Sequence, residues 1–239
     1  MKDLQTKYNS VIEQYAVDFF TDGLKAMHDR GDPKPRYRMF MPNMIACANN
    51  CLLCIEYLQE QKEFLIQELK MPSNKLSPEF EATFLELRKE FQRIGCVCLG
   101  YLVDLEFENL RTVLKDLCTR DKWFNNESVI MSIIKTVEEY NRDFLLLKNE
   151  FHDTAVLESH HRLIAHYSQA MMEKRIRLQN TKQRETAKDQ VFKESRLLSD
   201  TFQKIVPSTP RRVSQTDGSV AMLHQHNCEM FTFYLIITP

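Results

Sequence analysis

Between residues 80 and 105 the apolar side chains Phe80, Phe84, Leu87, Phe91, Ile94, Cys98, Tyr101 and Leu105 follow one another at alternating steps of four and three. That spacing keeps one side of an α-helix apolar along its whole length, whereas a strand would scatter the same residues over both faces. Such a seam is the kind buried between antiparallel helices in bundles and coiled coils. It continues through Leu110, Val113 and Leu117 after a shift of register. Gly95 and Gly100 lie inside it and predict a kink or a close helix approach.

The rest of the chain follows the same period. Leu4, Tyr8, Val11, Tyr15 and Phe19 predict a first helix, and Gly31-Asp-Pro-Lys-Pro35 a turn beyond it. Met44, Ala48, Cys51, Ile55, Leu58, Leu65 and Leu69 form a second stripe, broken by Lys62. Ser77-Pro78-Glu79 reads as a cap, a proline at the first helical position and an acid in the first turn. Asn125 or Asn126 caps a fourth helix, Asp153 or Thr154 starts a fifth, and Asn180-Thr181 opens a sixth that runs to about Ile205. The chain holds only 5 glycines in 239 residues, too few for the tight turns that sheets require. The fold class predicted is all-α, a stacked antiparallel bundle of about six helices over residues 1–206. Residues 207–239 predict a flexible tail, ending in the uncharged, β-prone Phe231-Thr-Phe-Tyr-Leu-Ile-Ile237.

Lys plus Arg is 32 against 33 for Asp plus Glu, a balance that argues against a nucleic-acid binder. The longest apolar runs, 97–103 and 231–237, fall far short of the ~20 residues of a spanning helix. No apolar segment follows the N-terminus as in a signal peptide, so a cytoplasmic protein with reduced thiols is expected. Among the 7 cysteines, Cys47, Cys51 and Cys54 have C-x3-C-x2-C spacing, and Cys96 and Cys98 form a C-x-C pair. Zinc sites favour two matched pairs, often completed by histidine, and no histidine lies between residues 29 and 151. Buried thiols without metal are therefore expected.

No pattern predicts catalysis. There is no Gly-rich phosphate loop and no nucleophile elbow. Glu138 and Glu139 diverge on a helix, and Asp104, Glu106 and Glu108 spread around one. His161 and His166 are five apart, poorer for joint metal binding than four, and no acid stands between them. No catalytic residue, metal or cofactor is expected.

Charge is uneven along the chain. Residues 1–159 carry 20 basic and 26 acidic side chains, while residues 160–188 carry 7 basic and 2 acidic ones. The basic seven are Arg162, Lys174, Arg175, Arg177, Lys182, Arg184 and Lys188. They form either a solvated face or a surface for anionic lipid headgroups or an acidic partner. Arg211-Arg212-Val213-Ser214 matches the pattern of a basophilic kinase target and makes Ser214 a candidate phosphosite.

Four blocks carry a resemblance: Asn49-Asn50-Cys51, Lys122-Trp123-Phe124, the run Thr136 to Phe144, and the run His161 to Ile176. Over about Tyr15 to Ile205 the chain resembles the C-terminal half of the exocyst component 3 family, with a divergent tail beyond. The resemblance implies a rod of stacked helical bundles and a non-enzymatic role in tethering secretory vesicles at the plasma membrane before exocytosis. It also implies other exocyst subunits as partners, with SNARE proteins as further ones, and a cytoplasmic location peripheral to that membrane. The long N-terminal part of that family, through which its subunits largely pair, has no counterpart in these residues.

Overall fold

A computed structural model describes residues 2–23, 39–68, 78–173 and 176–205. The six α-helices there are α1 (Lys2–Asp18), α2 (Phe40–Glu68), α3 (Pro78–Asp116), α4 (Ser128–Phe144), α5 (Asn149–Met172) and α6 (Thr181–Ile205), and α1 runs into a π-helical segment, Phe19–Gly23. No strand occurs among the described residues. Ser77, Leu69, the turn at 31–35 and the tail from 206 onward lie outside them.

Local signals explain most helix ends. Pro78 opens α3 with Glu79 and Glu81 in its first turn, where the missing N–H costs nothing and acid meets the positive end of the helix dipole. Asn126 Oδ1 accepts the Ser128 N–H at 2.9 Å ahead of α4. Its neighbour Asn125 sits at φ 58°, the left-handed region that asparagine tolerates. Asn180 Oδ1 accepts the Gln183 N–H at 2.9 Å, and Gln183 Oε1 in return accepts the Gln179 N–H at 2.9 Å, a reciprocal cap for α6. At the end of α3 the left-handed position is taken by Cys118 at φ 56° instead of glycine, so no sequence signal marked that stop. Helix α5 begins at Asn149, earlier than Asp153 or Thr154, because the Lys148 carbonyl already accepts from Phe151 and His152 at 2.9 Å.

The described residues divide into two compact units, those within 1–105 and 144–155 and those within 106–143 and 156–205. Helices α3 and α5 each contribute to both.

In the first unit, Phe19 stacks on Phe40 at 3.8 Å with the rings 7° from parallel, and Tyr15 and Phe20 pack against Phe40 at 5.5 and 5.7 Å. The buried face of α1 runs Ile12, Ala16, Phe19, while Val11 is 66% exposed. Of the described members of the expected stripe, Phe19 is buried and Tyr15 half-buried, while Val11 turns outward and Ile12 takes its place. Gly95 permits a close helix approach, since a Cβ there would lie 2.3 Å from Phe151 Cζ; at Gly100 nothing lies within 4 Å of that position. Only one of the two glycines is thus required by packing.

Burial along the α3 seam is unequal. Ile94, Cys98 and Leu105 are buried, but Phe80, Phe84, Leu87 and Phe91 are only half-buried. Phe80 and Phe84 shield one another at 4.7 Å.

The second unit has one continuous core from Leu110 and Leu117 through Trp123, Ile130, Ile133 and Leu163 to Val191 and Phe202.

Candidate interaction surfaces

Five of the seven basic residues lie among those described. Arg162 Nε donates to Glu158 Oε1 at 2.7 Å, one turn earlier on α5, and is half-buried. Lys174 and Arg175 lie outside the described residues. Arg177, Lys182, Arg184 and Lys188 remain, all exposed, on the 176–180 segment and the first two turns of α6. The 117–127 turn adds a cation that sequence reasoning missed: Arg120 Nη1 donates to the Arg177 carbonyl at 3.5 Å. Nothing in the local sequence links residues 120 and 177.

A buried polar network anchors that turn. Trp123 Nε1 donates to Glu194 Oε2 at 2.8 Å, and the Tyr167 hydroxyl donates to the same oxygen. Gln190 Nε2 donates to Glu194 Oε1 at 2.9 Å and to the Trp123 carbonyl at 2.7 Å, while its Oε1 accepts the Asn125 N–H at 2.8 Å. Burial pushes the Glu194 carboxyl above its ordinary range against these three donors, and burial with Glu194 alongside raises the Tyr167 phenol. Every member is satisfied, so the network fixes one arrangement of turn, α5 and α6.

Glu106 is a different case. It is 1% exposed, Ser159 Oγ donates to its Oε1 at 2.9 Å, and its Oε2 has no partner. Burial raises its carboxyl to about 7 despite the Ser159 bond and the Arg162 charge. A protonated carboxyl is the form that this setting favours.

Cys47, Cys51, Cys54 and Cys98 come together in the first unit, while Cys118 lies in the core of the second. Burial, with Cys47 and Cys54 beside it, pushes the Cys51 thiol up to about 12. The hydrogen bond with Cys47, and burial next, push Cys98 well above the thiol range. No group of three or more His, Cys, Asp or Glu among the described residues is arranged to hold a metal ion. No disulfide joins the described cysteines, and Cys96 is exposed. The histidines also part: His160 is buried against Phe202 at 4.5 Å, while exposed His166 stacks on Phe107 at 5.4 Å. Ser214 lies outside the described residues.

In the first unit Asn49 latches the turn after α4 onto α2. Its Nδ2 donates to the Leu146 carbonyl at 2.9 Å and its Oδ1 accepts the Lys148 N–H at 2.8 Å. Lys148 Nζ pairs with Glu56 at 2.7 Å. Leu145 and Leu146 stay 62% and 65% exposed in that turn, and Leu53, Tyr57 and Phe64 are 49%, 60% and 55% exposed on α2.

No helix of the described residues is long and apolar enough to cross a membrane. A family model described as "Exocyst complex component Sec6" matches residues 2–234, which reaches into the stretch read from sequence as an unrelated tail. The chain is 20% identical over 201 residues to exocyst complex component 3 of Caenorhabditis elegans, covering 77% of this chain and 24% of that protein. It is 26% identical over 153 residues to exocyst complex component 3 of Drosophila melanogaster, covering 64% of this chain and 19% of that protein. The chain thus spans about a quarter of the length of these relatives or less. No solved structure matches. A match over nearly the whole chain, on an all-helical fold, places this protein in the Sec6 family of exocyst components.

Proposed function

We propose that this chain is a non-catalytic interaction module of a vesicle-tethering exocyst complex, acting through protein contacts when secretory vesicles dock at the plasma membrane. The observation that carries the reading is the family match over residues 2–234. The helical architecture supports it, because packed helices offer long side-chain surfaces to partner helices. Other exocyst subunits are the first partners proposed and SNARE proteins the second. The setting proposed is cytoplasmic, peripheral to the membrane. The test is affinity purification of the tagged full chain from cytosol, read by mass spectrometry. Recovery of exocyst subunits in near-equal amounts is expected; a folded chain that recovers none of them overturns the reading.

A second reading rests on Arg120 beside Arg177, with Lys182, Arg184 and Lys188 following. These cations suit anionic lipid headgroups. Flotation of the purified chain with phosphatidylserine vesicles, lost on charge reversal at Arg184 and Lys188, favours this reading. Equal flotation with neutral vesicles contradicts it. Ser214 phosphorylation would add about −2 charge beside Arg211 and Arg212, and is proposed as a regulatory step on either reading.

A further inference from the structure

Helix α2 carries two seams on opposite sides. The inward one, Met44, Ala48, Cys51, Ile55, Leu58 and Leu65, is buried or half-buried. The outward one runs Ala46, Asn50, Leu53, Tyr57, Glu60, Phe64, Gln67, at steps of 4, 3, 4, 3, 4 and 3, and every member is exposed. A surface helix needs only one apolar stripe, with polar residues opposite. A second stripe at 4/3 spacing is the pattern that seats another helix knobs-into-holes. In heptad terms Leu53 takes a d position, Tyr57 and Phe64 take a positions, and Glu56 and Glu63 occupy the flanking g positions. Glu60 stands within the seam. The turn latched by Asn49 and by the Lys148–Glu56 pair holds Leu145 and Leu146 along the Glu56 side, which widens the apolar surface.

We infer that the outward face of α2 is a docking seam for an amphipathic helix of a partner protein, apolar along one stripe and flanked by lysine or arginine. This rests on the proposed function and names the surface it uses. Charge selects the occupant. Glu56 is already paired with Lys148, but a second copy would set Glu60 and Glu63 against their own counterparts, and an anionic membrane would repel them. A basic-flanked helix meets Glu63 with opposite charge at a g position, where coiled coils set partner choice, and brings its cations near Glu60 within the seam. Asn50, at an a position, would further restrict the register.

The probes are two synthetic four-heptad peptides with leucine at a and d, one with lysine and one with glutamate at e and g. Each is titrated against the full chain by fluorescence anisotropy. The lysine peptide should bind at least about tenfold tighter, roughly 1.4 kcal/mol. Charge reversal at Glu60 and Glu63 should invert that preference. Leu53→Gln with Tyr57→Ser should abolish both bindings while leaving the melting temperature unchanged, because both residues are exposed. Equal binding of the two peptides, or none, overturns the inference. So does self-association of the chain that Tyr57→Ser removes, or flotation with anionic vesicles that it removes. Co-purification of exocyst subunits is scored separately. Subunits recovered without peptide preference sink the seam alone, and preference without subunits sinks the proposed function alone.

Discussion

The two compact units bury polar atoms by different means. Among the described residues of the first, Cys51, Cys98 and His152 are buried, and the carboxylates are exposed or half-buried. In the second, Glu194 and Glu106 are inside, one held by Trp123, Tyr167 and Gln190 and the other by Ser159 alone. Thiols pack as small hydrophobes and tolerate repacking, whereas a satisfied carboxylate network permits one geometry. The first unit also leaves Leu53, Tyr57, Phe64, Leu145 and Leu146 outside, and the aromatic part of its α3 seam is half-buried. Helical periodicity is equally regular in both units.

The largest effect is expected at the network. Trp123→Ala should cost about 3–5 kcal/mol, from lost ring volume and a donor removed from buried Glu194. Thermal unfolding followed by circular dichroism checks this. A loss under about 1 kcal/mol would mean that the second unit is as adaptable as the first.

Next comes Glu106, whose proton belongs to the folded state. Its carboxyl lies near 7 when folded against 4.5 otherwise. The fold therefore gains fully below about 4.5 and loses that gain as pH rises toward 7, by about 3 kcal/mol over the interval. Glu106→Gln should flatten denaturant-measured stability across that window. The first unit, with no such carboxylate among its described residues, should not change its own pH response. An unchanged slope in the variant contradicts this.

Gly95→Ala should cost about 1–3 kcal/mol, because the added Cβ meets the buried Phe151 ring. Phe151→Leu in the same chain should recover part of that loss, and strict additivity in the double-mutant cycle would deny the contact. Phe91→Ala, at a half-buried site, should cost about 1.5–2.5 kcal/mol, below the 3–5 kcal/mol of a fully buried phenylalanine such as Phe144. Equal losses at Phe91 and Phe144 would show that the two parts of the core are packed alike.

Chain order and identity of the helices were legible because stripes, prolines and asparagine caps are local. What stayed hidden is non-local. Asn49 is visible as a residue but not as the latch for a turn 97 positions away. Glu106 reads as one of three spread acids until Ser159, 53 positions on, is brought to it. On α1 the period alone does not decide between Val11 and Ile12, and the packing of Tyr15 and Phe19 on Phe40 leaves Ile12 inside. Local charge density along the basic segment likewise does not show the ion pair between Arg162 and Glu158.

Amide hydrogen exchange along the full chain, alone and with purified exocyst subunits added, tests the central claim most directly. Alone, residues 94–116 of α3 and 187–205 of α6 should exchange slowly, while 78–91 of α3 exchanges faster despite the same spacing. With subunits bound, new protection should appear over 50–67 of α2 and leave the second unit unchanged. Uniform protection along α3 in the free chain, or no added protection on α2 in the complex, would contradict the account.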